Sequence, residues 1–126
     1  MIGLPASVRI LLWRETVDLR RGFDGLAGLV AQAGEDVYSG HLYVFVSRRQ
    51  NRVKVLTWQR GGFVLVYKRL DKGRFRLPSL EGPQVLLDAA QLALLLDGVD
   101  LDRVERPVAW IPPGRRKSGI DKTAPM

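Results

Sequence analysis

The sequence predicts an α+β fold in a single domain. Four short segments rich in Val, Leu and aromatic residues follow one another between residues 42 and 77, and only a few residues separate them. Separators this short force neighbouring strands to run antiparallel, so the four segments predict a curved β-meander. Segments with helical spacing of their apolar residues lie before and after the meander. A length of 126 residues and a hydrophobic content of 46% suit one domain with a genuine core.

A strand and a helix precede the meander. The short apolar run VRILLW over Val8–Trp13 predicts a buried strand beside the meander. Asp18 is then expected to cap the helix that follows, and this helix should end near Gly34. The helix is expected to bury residues at a 3.6-residue spacing. These residues are Leu19, Phe23, Leu26, Leu29 and Val30.

Three glycines on this helix, Gly22, Gly25 and Gly28, are spaced three residues apart and form one smooth strip. The strip favours close packing of the helix against the sheet over binding of a phosphate group. It is not a nucleotide-binding fingerprint, because the Lys-Ser/Thr pair and the preceding strand-to-loop context are missing.

The meander and the elements after it complete the predicted domain. Its strands are predicted at Leu42–Ser47, Val53–Gln59, Phe63–Arg69 and Arg74–Leu77. Gln84–Leu87 predicts a further short strand, and Asp88 should cap a helix from Ala89 to about Leu96 that Gly98 closes. Both helices are expected to pack on one face of the meander. Residues 1–105 should form this domain, and residues 106–126, rich in Pro, Gly and charge, an extended or disordered tail.

Positive charge is concentrated in one part of the chain. The net charge is +7, and residues 1–79 hold fourteen of the twenty Lys and Arg residues but six of the thirteen acids. Between Arg48 and Arg76 there are ten cations and one acid, Asp71. Such a basic surface, interleaved with aromatic residues, favours nucleic acid as the partner. A protein partner and a solvated basic surface without a specific role are the alternatives.

The strand directions of the meander predict that most of these cations lie together at one end of the sheet. The loop after its first strand and the turn after its third strand should lie at the same end of the sheet, and Arg60 should lie at the opposite end. The cations expected to converge are Arg48, Arg49, Arg52, Lys68, Arg69, Lys72 and Arg74. A bound anion would relieve their mutual repulsion, and phosphate contacts would make binding depend steeply on salt.

Two further arginines, Arg20 and Arg21, lie in the first turn of the predicted helix, where the helix dipole disfavours cations. This position suggests an anion near the helix start; the alternatives are simple exposure or pairing with Glu15 or Asp24. Tyr43 and Tyr67 are the best candidates for exposed rings that stack on bases.

The sequence shows no pattern typical of a catalytic or metal centre. The chain has no cysteine, which excludes disulfides and thiol chemistry, and its single histidine, His41, is expected to be structural. The acids have no spacing that implies a two-metal nuclease, which is kept as a weaker alternative. No enzyme activity and no cofactor are expected. The N-terminal segment has neither a membrane span nor a secretory signal, so a cytoplasmic protein is expected.

Several strings together resemble a bacterial transposon family. They are DLRRGFDGLAGLV (Asp18–Val30), SGHLYVF (Ser39–Phe45), RVKVLTW (Arg52–Trp58) and YKRLDKGRFRLP (Tyr67–Pro78). Across residues 4–105 the chain resembles the small TnpB accessory proteins of insertion-sequence family sixty-six, which differ from the RNA-guided nucleases of the same name. The resemblance implies a role in transposition beside a separate transposase that carries the catalytic acids. The chain departs from the family at the turn around Arg60, where an acidic residue is commoner.

These observations predict a non-enzymatic accessory protein that binds DNA, either at transposon ends or as non-specific duplex. The rival hypothesis is an interaction module that docks on the transposase or on a sister subunit. In that case an exposed edge strand or the tail around Trp110 would matter more than the arginines. The oligomeric state does not follow from the sequence.

Overall fold

A computed structural model describes residues 7–79 and 82–103 of the chain. In chain order the elements are β1 (Ile10–Trp13), α1 (Phe23–Gln32), β2 (Leu42–Val46), β3 (Arg52–Gln59), β4 (Gly62–Arg69), β5 (Gln84–Leu87), α2 (Ala89–Leu96) and a short 3-10 helix (Leu101–Arg103). The strands form one sheet in the order β4-β3-β2-β1-β5. The predicted end of the domain at residue 105 and the Trp110 tail lie outside the described residues.

The sheet combines an antiparallel meander with one parallel pair. β2, β3 and β4 pair antiparallel in sequence order, as predicted. β1 lies parallel to β2, with Leu11 opposite Tyr43, and β5 pairs antiparallel with the other side of β1. α1 lies in the connection between the two parallel strands, which cannot be joined by a short turn. The fold is therefore α+β with an open, mixed sheet, which confirms the predicted class.

The prediction of a fourth meander strand at Arg74–Leu77 is wrong. This segment follows the β2–β3 loop instead of pairing with the outer side of β4, because the N–H of Phe75 donates to Gln50 O at 2.6 Å. The side chain of Phe75 is fully buried in the core. Burial of this ring and the hydrogen bond to the loop hold the segment away from the sheet edge.

The prediction that both helices pack on one face of the sheet is also wrong. α1 buries Leu26 in a cluster with Phe45 of β2, whereas α2 buries Leu95 in a separate cluster with Val44 of β2. Neighbouring residues of a strand point to opposite faces, so the two helices cover opposite faces of the sheet. The reason is visible in β2, which is buried at all five of its positions and therefore needs cover on both sides.

The predicted N-cap residue is wrong for α1 and confirmed for α2. α1 begins at Phe23, after Gly22, so Asp18 is not its N-cap. The Asp18 carboxylate instead accepts the backbone N–H of Arg20 at 3.0 Å in the turn before the helix. α2 starts as predicted, because Asp88 and Gln91 form a reciprocal capping box.

The glycine strip of α1 does not pack on the sheet, contrary to prediction. Within the described part of the chain, a Cβ added at Gly22 or Gly28 would meet no atom within 4 Å outside the helix itself. At Gly25 it would meet the side chain of Arg21 at 3.0 Å. The strip therefore faces away from the core.

Two polar side chains, one just before β2 and one within it, have structural roles. His41 Nδ1 accepts the backbone N–H of Arg9 at 3.0 Å, which confirms its predicted role. Tyr43 is completely buried, and its hydroxyl donates to Asp36 O at 2.8 Å, so its prediction as an exposed stacking ring is wrong. Burial also raises the pKa of the Tyr43 hydroxyl. Tyr67, in contrast, is half exposed, as predicted.

Candidate nucleic-acid interface

The candidate site is built on the tight loop between β2 and β3. The buried Ser47 organises this loop, since its hydroxyl accepts the N–H of Arg52 at 3.1 Å and its carbonyl accepts the N–H of Gln50 at 2.8 Å. Gln50 adopts a left-handed conformation with φ of 60°, which closes the turn. The loop therefore has a defined shape and exposes Arg48 and Arg49 at its tip.

A groove of about 650 Å³ opens beside this loop, on the face of the sheet that α1 covers. The loop forms one wall, the segment from Val17 to Arg20 forms the other, and Leu65 and Tyr67 of β4 contribute to the floor. We call this feature the basic groove. Its cationic lining residues are Arg20, Arg48, Arg49, Arg52 and Lys54.

Two arginines at the end of the sheet lie directly opposite one another. Arg52 of β3 pairs with Arg69 of β4 in the strand register, so their side chains project from the same face. Both are exposed, and neither forms an ion pair within residues 7–79 and 82–103. Like charges at directly opposite positions destabilise a sheet, and a shared anion would remove this cost.

Lys54 holds the second wall of the groove in place. Its ammonium group donates to Leu19 O at 2.7 Å and to Arg21 O at 3.2 Å, and it lies 5.7 Å from the centre of the Tyr67 ring. Lys54 is a positioning residue that the sequence-based site had missed. The two-residue spacing from Arg52 on a strand was the signal that could have placed it on the same face.

Arg20 lies in the basic groove with an acidic partner. Its guanidinium pairs with Asp18 at 2.7 Å while its own side chain remains 88% exposed. Hydrogen bonds from Arg20, with a smaller contribution from the nearby Arg48 charge, hold the pKa of Asp18 well below its usual range. Of the alternatives kept for Arg20, pairing with Glu15 or Asp24 is wrong, because its acidic partner is Asp18.

Arg21 does not line the basic groove. Its side chain lies beside Gly25 at the start of α1, and it borders a smaller cavity of about 270 Å³ together with Glu15 and Arg48. The two adjacent arginines therefore face different parts of the surface.

Lys68 is separated from the other cations. It pairs with Val53, on the face opposite the basic groove, and its ammonium group donates to Leu96 O at 2.6 Å. A cation at the last carbonyls of a helix is stabilised by the helix dipole. Lys68 thus caps α2, and its predicted convergence with the loop arginines is wrong.

Lys72 and Arg74 lie at the same end of the sheet as the basic groove but do not line it. Both are exposed on the segment that the Phe75–Gln50 hydrogen bond holds against the β2–β3 loop. Arg60 lies in the β3–β4 turn, at the opposite end of the sheet, as predicted.

Residues 7–79 and 82–103 contain no group of three His, Asp or Glu side chains placed to hold a metal ion. In the same ranges no helix has the length and apolar character needed to cross a membrane. The exposed guanidinium groups that line the basic groove can donate hydrogen bonds to an anion.

Replacing Asp18 with Asn is expected to raise the affinity of the protein for duplex DNA about threefold. The change removes a negative charge from the groove and releases Arg20. A carboxylate and a phosphate charge about 6 Å apart in water repel each other by about 0.7 kcal/mol. Fluorescence anisotropy with a labelled duplex measures the effect. Asp71→Asn, on the turn outside the groove, is the charge-matched control. An equal gain in both variants, or weaker binding by Asp18→Asn, would contradict this placement of Asp18.

The fold and the groove define a small α+β protein with a cationic groove at one end of an open sheet. The chain belongs to the family of IS66 Orf2-like proteins, whose model matches residues 8–106. This membership confirms the resemblance seen in the sequence and implies an accessory role in transposition.

Two similar proteins come from Sinorhizobium fredii (strain NGR234). The uncharacterized protein y4jC is 35% identical over 107 residues, which cover 84% of this chain and 92% of y4jC. The uncharacterized protein y4hO is 40% identical over 101 residues, which cover 77% of this chain and 87% of y4hO. No solved structure matches the chain significantly.

Proposed function

We propose that this protein is a non-catalytic transposition accessory protein that binds the phosphate backbone of DNA in the basic groove. The observation that carries the proposal is Arg52, which lines the groove together with Arg48 and Arg49 and lies directly opposite Arg69 of β4 in the strand register. Neither Arg52 nor Arg69 forms an ion pair within the described residues. A phosphate group between these guanidinium groups would accept charge-assisted hydrogen bonds from two sides.

The shape of the site favours backbone contacts over reading of bases. The cations lie on the segment before α1, on a hairpin loop and on the ends of two strands, and no residue of α1 or α2 is among those that line the groove. Tyr67 adds an exposed aromatic ring beside Lys54, which suits stacking on a sugar or an unpaired base.

The proposed partner of the protein in the cell is the separate transposase of the same element, in the cytoplasm where that DNA lies. In this division of work the transposase carries out strand cleavage and joining, and the accessory protein holds DNA. Family membership supports the setting, and the cationic groove supports the contact with DNA.

A salt titration of binding to a labelled DNA duplex tests the proposal. Arg20, Arg48, Arg49, Arg52 and Arg69 are the expected phosphate contacts. Five such contacts predict that the logarithm of the binding constant falls with the logarithm of salt concentration with a slope of about −4.5. Binding that does not depend on salt concentration, or no binding at low salt, would refute DNA binding by this groove.

Incubation of the protein with the duplex and Mg²⁺, followed by analysis of the recovered duplex, tests the non-catalytic role. Cleavage of the duplex would contradict it.

A further inference from the structure

The outer strand of the meander has an unusual surface for an edge strand. β4 is eight residues long and lies at the edge of the sheet. Its central side chains are exposed on both faces: Val64 is 39%, Leu65 38%, Val66 51% and Tyr67 51% accessible. The opposite edge, β5, has only four residues and follows Pro83. Short length and proline are common protections of an edge, and β4 has neither.

The backbone of β4 also has an unused set of hydrogen-bonding groups. The N–H of Leu70 donates to Asn51 O, and the register between β3 and β4 continues without a bulge down to Gly62 opposite Gln59. Because hydrogen-bonded pairs alternate along an antiparallel ladder, the even-numbered residues direct their N–H and C=O groups towards β3. Phe63, Leu65 and Tyr67 therefore direct these groups outward, where nothing in residues 7–79 and 82–103 pairs with them.

We propose that β4 pairs antiparallel with β4 of a second copy of this chain, with Leu65 on the two-fold axis. In this register Leu65 lies opposite Leu65 of the second copy, and Phe63 lies opposite Tyr67 of the second copy. All outward N–H and C=O groups of Phe63, Leu65 and Tyr67 then find partners, and the two sheets become one continuous sheet.

The side chains of β4 match this arrangement on both faces. On the face of α1, the rings of Phe63 and Tyr67 come together across the joint. On the face of α2, Val64 lies opposite Val66 of the second copy. Aromatic and β-branched pairs of this kind are the contacts that stabilise neighbouring strands.

The charges of the strand select a second copy in the antiparallel direction. The two cations of β4, Lys68 and Arg69, are at one end, and Gly61 and Gly62 are at the other. Antiparallel pairing places each cation opposite a glycine of the second copy, whereas parallel pairing in register would place each cation beside its own equivalent. A second copy of β4 therefore matches the outward backbone groups, the apolar side chains and the charges of the first at the same time, because the register is symmetric about Leu65.

The dimer does not depend on DNA binding, but it has a consequence for it. Arg69 lies opposite Gly61 of the second copy, which is eight residues from that copy's Arg69. At about 3.4 Å per residue, the two basic grooves would lie at opposite ends of a joint about 27 Å long.

Sedimentation and site-specific crosslinking test the proposal. The chain contains no cysteine, so a single introduced cysteine reports only on its own position. The wild-type protein is expected to sediment at twice its 14.1 kDa mass at micromolar concentrations. The Leu65→Cys variant should form an interchain disulfide under mild oxidation, because opposite residues of a hydrogen-bonded pair have Cα atoms about 5.5 Å apart.

Leu86→Cys is the matched control, since Leu86 is also an exposed leucine on an edge strand, with 57% of its surface accessible. Leu65→Cys should crosslink at least ten times faster than this control. Val66→Lys should convert the dimer to a monomer and leave the far-UV circular dichroism spectrum unchanged, because this side chain is half exposed in the single chain and a lysine there can extend into solvent.

Three results would overturn the proposal. One is a monomer at every concentration up to about 100 µM, which corresponds to a dimerisation free energy weaker than about −5.5 kcal/mol. A second is crosslinking of Leu65→Cys no faster than of Leu86→Cys, which would place any dimer contact elsewhere. The third is a dimer that Val66→Lys leaves intact.

Discussion

The triple variant Arg48→Ala, Arg49→Ala, Arg52→Ala is expected to bind duplex DNA about a hundredfold more weakly than the wild-type protein. These three side chains line the wall and mouth of the basic groove and form no ion pair within the described residues. Three contacts at about 1 kcal/mol each correspond to roughly this loss of affinity. The slope of the salt titration should also become shallower by about 2.7, because three fewer counterion-releasing contacts form.

A second triple variant, with Arg9→Ala, Arg60→Asn and Arg103→Ala, separates local contacts from overall charge. It also removes three positive charges, but none of these three arginines lines the groove. Arg9 and Arg60 lie at the opposite end of the sheet. Asn suits position 60 because that residue adopts φ of 50° in the β3–β4 turn. The control is expected to lose less than about fivefold, from long-range attraction alone. Equal losses in the two triple variants would show that the groove is not the binding site.

The largest expected effect on stability comes from Phe75→Ala, which should lower the free energy of unfolding by about 3–5 kcal/mol. The ring is completely buried in the cluster beneath α2, together with Leu92 and Leu95. Its backbone also ties the segment after β4 to the β2–β3 loop through the bond to Gln50. Loss of the ring leaves a cavity and loosens the segment, and the midpoint of urea unfolding measures the change.

Phe75→Leu is the matched control for this residue, because it keeps an apolar side chain of similar size in the same place. It is expected to cost less than about 1.5 kcal/mol. A cost below about 1 kcal/mol for Phe75→Ala would mean that the segment does not depend on the ring. Since domains of this kind have only about 5–15 kcal/mol of stability in total, both variants should be compared at low temperature.

Much of the fold follows from local sequence patterns. Apart from the extra strand at Arg74–Leu77, the order of strands and helices was predicted correctly, as were the β2–β3–β4 meander and the N-cap of α2 at Asp88. They depend on interactions between residues near one another in the chain, such as short turns, apolar periodicity and a capping box, which a sequence displays directly. The sequence also placed the β2–β3 loop and the β4–β5 connection at one end, because strand directions alternate in a meander.

Other features depend on which residues meet across the fold. Asp18 has the residue type of a helix cap, but pairing with Arg20 uses its carboxylate before α1 begins. Arg74–Leu77 has the alternation of a strand, but burial of Phe75 beneath α2 is incompatible with a place at the sheet edge.

For the basic groove, the sequence by itself determined that cations gather at one end of the meander, and the family to which the chain belongs. Only the tertiary structure decided which cations share a face. A strand alternates its side chains between two faces, and here both faces are covered by helices, so the partner of each lysine depends on its face. Lys54 therefore holds the wall of the groove, while Lys68, fourteen positions later in the sequence, caps α2 on the other side of the sheet.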